Sequence, residues 1–456
     1  MRRLKQATLI LALLGTIVLA ACGNSDTTSQ SDYNNGTGDQ PFKPVTHLAH
    51  RSVVSNYYAG DLQVMDATEN RLTTTTFATG AQPTYLQSSP DGLYTFVNDT
   101  GSNAISTLDN NQEKIRATIA LGGPTQSFVT STDDQFAFAA VPSYNNGNPP
   151  ILPGAINRFN PYDGSLNTAI PFPYATYLAM DPAEKHLLVF TVGDTAASGG
   201  DDNVYYLDLT INDPSTGFPA ISVLTLPAGA LSRPVAAFFS ADSSTAYILN
   251  CGAECGGTAS ASVTEINAIS SSCSPLNCPA TPVTGYLPSI HQGSATVVKQ
   301  WTVSGARRGL IDLTANNLYV AGSATTLTDT GGNNVQDGYF TTINLAAGTA
   351  SAPIRIGNGA KLLIRSIGSN FWVSSINCGV QSCITIVNPA STASPATLLA
   401  NPYGNGTGVS LQTNSGEVYT IEGGQLYIYT QSGTRIIPST YSTDIKGQGY
   451  DVLYID

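Results

Sequence analysis

The sequence predicts an all-β chain folded as a β-propeller of four-stranded blades, eight by repeat count with seven possible, and three observations carry this. An apolar residue followed three positions later by another, and then seven times of eight by Asp or Asn, recurs as Leu62/Met65/Asp66, Ile105/Leu108/Asp109, Ile156/Phe159/Asn160, Val204/Leu207/Asp208, Val263/Ile266/Asn267, Phe340/Ile343/Asn344, Ile384/Val387/Asn388 and Leu426/Tyr429/Thr430. The terminal positions of these markers lie 43, 51, 48, 59, 77, 44 and 42 residues apart, the length of a four-strand blade with unequal loops. The first unit supplies three strands only, whereas the tail Asp451 to Asp456 is an orphan strand, and joining the two closes a ring and removes open sheet edges.

At the N-terminus Arg2, Arg3 and Lys5 precede an apolar run from Ala7 to Val18 and then Leu19-Ala20-Ala21-Cys22. This is the pattern of a lipoprotein signal peptide over residues 1–21, with Cys22 diacylated as the mature N-terminus and tied to the bilayer through its acyl chains. A spanning helix needs roughly 20 apolar residues, more than this run offers. Gly23, in place of the Asp that favours inner-membrane retention, implies a cell-envelope location in the outer membrane if the organism is Gram-negative. Residues 22–47 read as a lipidated flexible tether, of which Gly23 to Gln40 is too poor in apolar surface to fold and has an r.m.s. reach of roughly 25 Å. The propeller then occupies residues 48–456.

The chain carries a net charge of −12, and the three cations of the leader bring the mature form to −15. Such a surface repels phosphate backbones and anionic headgroups, which argues against nucleic acid and against membrane docking beyond the lipid.

Upstream of each marker a turn rich in Asp, Asn, Gly or Ser leads into a β-prone run, as in Ser89-Pro90-Asp91-Gly92 before Leu93 to Asn98 and Asp242-Ser243-Ser244 before Ala246 to Asn250. Each unit therefore reads as strand A before that turn, B after it, C ending at the marker, and a short D. In-out alternation is weak, as expected for strands covered on both faces. A β-sandwich does not explain eight markers, and β-helix coils are much shorter than these units. On Ser89-Pro90-Asp91-Gly92, Phe96-Val97-Asn98 and the marker endings, residues 48–456 resemble the YVTN-type β-propeller repeat family, related in fold to lactonase-like and quinoprotein-like propellers. Tyr247-Ile248-Leu249-Asn250 and Tyr319-Val320-Ala321-Gly322 stand as degenerate copies of its tetrad.

Six further cysteines form three close pairs, Cys251/Cys255, Cys273/Cys278 and Cys378/Cys383, which in an exported chain read as disulfides. Proximity favours local pairing among fifteen connectivities, and loops this short act mainly as local braces. A thiolate zinc site is the rival reading.

No catalytic motif is present, and no cofactor or metal is called for. His47, His50, His186 and His291 are scattered and fit packing or surface roles better than a metal set. Three successive units open strand A with cations, Arg233, then Arg307-Arg308, then Lys361, so an anion or carboxylate site at one rim of the channel is expected; local pairing with acids is the plainer reading. The loops from Gly193 to Asn203 and from Asp329 to Gly338 carry oxygen ligands suited to calcium but lack the EF-hand spacing, so solvated loops are the plainer reading there too. These features point to a non-enzymatic, membrane-anchored extracytoplasmic module that binds or scaffolds a protein, glycan or small molecule. The alternative is a lactonase-like hydrolase with its site in the channel. A quinone-cofactor dehydrogenase is disfavoured, since only Trp301 and Trp372 are present.

Overall fold

The computed structural model describes residues 48, 50–143, 154–165, 167–172, 174–191, 202–212, 218–272, 290–324, 327–328, 334–335, 337–376, 383–393, 395–398, 404–432, 435–438, 445 and 447–455. Cys22, the leader, the tether, Cys273, Cys278, Cys378 and most of the two calcium-candidate loops lie outside the described residues.

Positions i and i+3 of a strand point to opposite faces of its sheet. That parity explains the marker, because all sixteen of its apolar side chains are buried. The first of each pair meets the second of the next unit: Leu62 with Leu108, Ile105 with Phe159, Ile156 with Leu207 and Val204 with Ile266. The series continues with Val263 and Ile343, Phe340 and Val387, Ile384 and Tyr429, and finally Leu426 with Met65 of the first unit. Each sheet is thus clamped between two others, and the last junction returns to the first. Burying an apolar side chain of this size contributes about 1.5–3 kcal/mol, so the two faces of every third strand hold the ring together.

The described strands pair into seven antiparallel groups of four and one in which Thr349–Ala350 and Ile354–Ile356 both pair with Gly338–Asn344, while Leu327–Thr328 and Asn334–Val335 form a separate two-stranded ribbon. Inner strands A run Pro83–Ser88, Ser127–Thr130, Ala175–Met180, Pro234–Phe239, Arg308–Asp312, Ala360–Arg365 and Gly406–Leu411 for blades 2 to 8. Blade 1 takes its inner strand from the tail, Gly449–Ile455, which pairs antiparallel with Arg51–Asn56. Val452 faces Val54 in that register, Asp451 N–H donates to Ser55 Oγ at 2.9 Å, and Ser55 Oγ donates to Thr84 O of blade 2 at 2.8 Å. Closure by the tail, as the sequence predicts, is therefore a hydrogen-bonded seam.

The Asp or Asn that ends each marker has its own cause. In blade 1 Asp66 Oδ1 accepts the N–H groups of Thr68 and Glu69 at 2.7 and 3.1 Å, capping the C–D turn. Asp109, Asn160, Asp208, Asn344 and Asn388 cap theirs in the same way, each bond contributing about 1 kcal/mol. Asn267 departs because strand C of blade 5, Ser262–Ser271, continues past it in the ladder, opposite Thr296. The long fifth unit is thus an extended hairpin rather than an irregular insertion. His291 sits buried in its outer strand Ile290–Thr302, a packing position as the sequence suggests. That strand also pairs parallel with Pro219–Thr225 of blade 4, fusing two blades into one eight-stranded sheet.

Val452→Asp places an unpaired charge at a position 2% exposed in the closing strand. The expected outcome is a loss of about 3–5 kcal/mol in urea unfolding, followed by far-UV circular dichroism; an unchanged midpoint contradicts closure by the tail.

Candidate functional site

Strands A line the central channel, so side chains near their starts share one mouth. Lys361, the second residue of its strand in blade 7, is 5% exposed and sends its ammonium across the axis. Its Nζ lies 3.6 Å from the ring centroid of Tyr450 in blade 1 and 5.0 Å from that of Tyr85 in blade 2. Rings from blades two and three places away can meet one lysine only inside the channel. Tyr450 stands edge-on to Tyr85 at 5.8 Å and stacks on Tyr57 at 5.8 Å, and Tyr57 meets the exposed Tyr58 edge-on at 5.3 Å. A tyrosine ladder therefore leads from solvent to the buried cation.

Burial pulls Lys361 down to about 8; Asp451 opposes that shift, while Arg308 and Arg307 reinforce it. Asp451 is itself buried, which pushes it up to about 7 against the N–H groups of Leu86 and Val452 and the charge of Lys361. Those N–H groups donate to its two oxygens at 3.0 and 2.9 Å. Gly408 makes this possible, since a Cβ there would lie 2.8 Å from Asp451 Oδ1.

Of the four cations expected at the rim, three converge. Arg308 Nε donates to the backbone oxygen of Lys361, and Arg307 and Arg308 both act electrostatically on Lys361 and on Tyr177 of blade 4. Arg307 Nη1 lies 3.6 Å from Glu254 Oε1. Glu254 sits in the short helix Gly252–Cys255, inside the loop closed by the Cys251–Cys255 disulfide, and Ser323 N–H holds its other oxygen at 2.7 Å. Burial raises the Glu254 carboxyl, with Ser323 and Arg307 opposing. Arg233 has a separate partner: Asp202 accepts its backbone N–H and lies 3.9 Å from its Nη1. For Arg233 the plainer reading, pairing with a local acid, therefore describes the geometry.

The disulfide at Cys251–Cys255 removes these thiolates from any zinc site. Cys383 is disulfide-bonded as well, just before the strand Ile384–Val387. Asp202 and Asp337, the described carboxylates of the two calcium-candidate loops, face Arg233 and Arg355, the latter pair at 2.8 Å. Three histidines sit away from the Lys361 cluster: His50 against Tyr454 Oη, His186 against Asp181, and His291 in an outer strand.

The far ends of three inner strands, in blades 2 to 4, border a second cavity. A cleft of about 340 Å³ there is lined by Gln87, Val129, Thr130, Met180, Asp181 and Glu184 among others. Beside it, burial together with Asp91, Asp133 and Glu184 pushes Asp134 up to about 7.

Sequence reading missed Tyr85, Tyr177, Tyr450, Asp451 and Glu254. Of these only Glu254 carried a local signal, its place between two cysteines.

No family model matches the chain, and no curated protein matches it. Among solved structures it is similar to the dihydro-heme d1 dehydrogenase NirN, at 13% identity and TM-score 0.57 over 91% of this chain and 77% of that one. It is also similar to AztD of Citrobacter koseri, at 9% identity and TM-score 0.52 over 89% and 97% of the two chains. The periplasmic gluconolactonase PpgL of Pseudomonas aeruginosa aligns at 13% identity and TM-score 0.46, over 89% and 99%. For NirN and AztD, likeness at this identity shows a shared propeller fold and no more.

A lysine lowered to about 8 loses its stabilising contribution as pH falls from the ordinary lysine range through that value. Lys361→Met is therefore expected to stabilise the protein at pH 6 by about 1–3 kcal/mol, because relief of the buried charge outweighs the cation–π attraction to Tyr450 and Tyr85. Near pH 10 the same replacement is expected to change little. Thermal unfolding at both pH values checks this; destabilisation at pH 6 means that the aromatic attraction is the larger of the two.

Proposed function

We propose that the protein is a lipid-anchored, extracytoplasmic binding module that captures a small anionic ligand at the Lys361 mouth of its channel. The observation that carries this reading is the convergence of Arg307 and Arg308 on Lys361 from the adjacent blade, with Lys361 itself against the rings of Tyr450 and Tyr85. Two buried acids, Glu254 and Asp451, balance these three cations only in part, and both are raised by burial. A carboxylate-bearing ligand complements the remainder, since guanidinium groups offer paired donors. The tyrosine ladder offers flat apolar faces beside the charge.

Anchoring rests on the Leu19-Ala20-Ala21-Cys22 pattern and the polar tether after it. The chain enters the propeller at Arg51, at the end of the ring carrying the A–B and C–D turns, with Leu48 buried beside the first blade. Lys361 lies at the other end of the ring from this entry point.

A lactonase-like hydrolase is the alternative. Such an enzyme needs a general base free to act, whereas Glu254 and Asp451 are both occupied by backbone N–H groups and a cation, and the described histidines lie elsewhere. Binding is therefore favoured over turnover.

Calorimetric titration of the soluble domain with benzoate tests the site. Replacing Arg307 and Arg308 together by Ala is expected to weaken binding at least tenfold, about 1.4 kcal/mol or more; unchanged affinity would remove the site from this mouth. Incorporation of labelled palmitate in cells tests the anchor. It is expected in the intact protein and lost in Cys22→Ser, and equal labelling of both would refute lipidation at that residue.

A further inference from the structure

We propose that anion capture at this mouth is coupled to the uptake of one proton by Asp451, so that Lys361 exchanges a buried counter-ion for the ligand. The inference rests on the anion-site reading above and adds to it a regulation by pH.

Asp451 lies on the closing strand at the meeting point of four elements. Strand Arg51–Asn56 contributes Ser55, whose hydroxyl takes the Asp451 N–H. Blade 2 contributes Thr84, bound to the same hydroxyl, the N–H of Leu86, and the titratable Tyr85. Blade 8 contributes Gly408 and no ionisable group from Gly406–Leu411. Blade 7 contributes Lys361, the cation acting on the Asp451 carboxylate. Tyr450 precedes Asp451 on its own strand, and Arg307 and Arg308 complete the charged surroundings through their action on Lys361.

Two carboxylates beside one desolvated ammonium cannot both stay ionised without a large electrostatic penalty. The ligand carboxylate reaches two guanidiniums as well as Lys361, whereas Asp451 has only Lys361 and two backbone donors. Asp451 is therefore the group that gives way. It takes a proton from solvent onto a carboxylate oxygen, no covalent bond of the ligand changes, and the protein's net charge rises by one as the anion enters. The elevated affinity of Asp451 for protons, already near neutrality in the empty site, sets the working range. Binding weakens as pH rises through about 7, because the unprotonated carboxylate must then be neutralised against a falling proton concentration. A fall in Lys361 protonation above about 8 adds to the same trend.

Benzoate is a suitable probe because it remains ionised from pH 6 upward. Titration calorimetry of the unmodified protein, in two buffers of different ionisation heat, is expected to show uptake of about half a proton per benzoate at pH 7, rising toward one at pH 8.5, with affinity falling by at least tenfold from pH 6 to pH 8.5. Asp451→Asn is expected to bind benzoate with nearly constant affinity from pH 6 to pH 7.5. Binding that is abolished by the Arg307 and Arg308 replacements, yet takes up no proton and has equal affinity at both pH values, would overturn the coupling while leaving the site intact. Benzoate binding that survives those replacements, or is absent at every pH, overturns the site and the coupling together. If Asp451→Asn does not fold, the proton count on the unmodified protein decides alone.

Discussion

Two apolar side chains on opposite faces of each third strand hold this protein in a ring. Were they two positions apart, both would face the same neighbour and the other junction would lack its filling; at three, each sheet is glued on both sides. The same constraint dictates the length of the repeat, the burial of both faces and the need for the tail. The blade that starts the chain has one junction to fill against the blade that ends it, and Met65 with Leu426 fills that junction only when the tail supplies the missing inner strand.

The sequence discloses this architecture because its determinants are local. Marker pairs, capping carboxylates and hairpin turns all act within a few residues of themselves, so each leaves a short and repeated trace. The site is different in kind. Leu86 and Asp451 are 365 positions apart, and Lys361 finds its aromatic partners on the first two blades rather than on its own. No window of sequence contains these neighbours. Cationic openings of three successive units were visible, yet Arg233 could not be separated from the rest until Asp202 was placed against it. Asn267 shows the converse, a local signal overruled when its hairpin grew beyond the usual turn.

Electrostatically the channel is uneven. At one mouth a buried lysine lies against tyrosine faces beside two arginines, whereas in the A–B turns at the opposite end Asp134 and Glu184 act on one another. A propeller scaffold does not require this polarity, and its solved relatives, alike only in fold, do not supply a reason for it. The small disulfide loop has a part in it. By fixing five residues beside the mouth it holds Glu254 against Arg307, so a covalent brace of modest thermodynamic weight sets the orientation of a guanidinium.

The parallel seam between the outer strands of blades 4 and 5 breaks the equivalence of the blades. An outermost strand normally ends in unpaired amide groups, a standing invitation to a foreign chain. Here a long hairpin from one blade folds over to occupy that position on its neighbour, so the molecule performs on itself the strand addition that would otherwise begin aggregation. The two blades consequently share one continuous hydrogen-bonded sheet, and this wedge of the disc forms a stiff sector in an otherwise modular wheel.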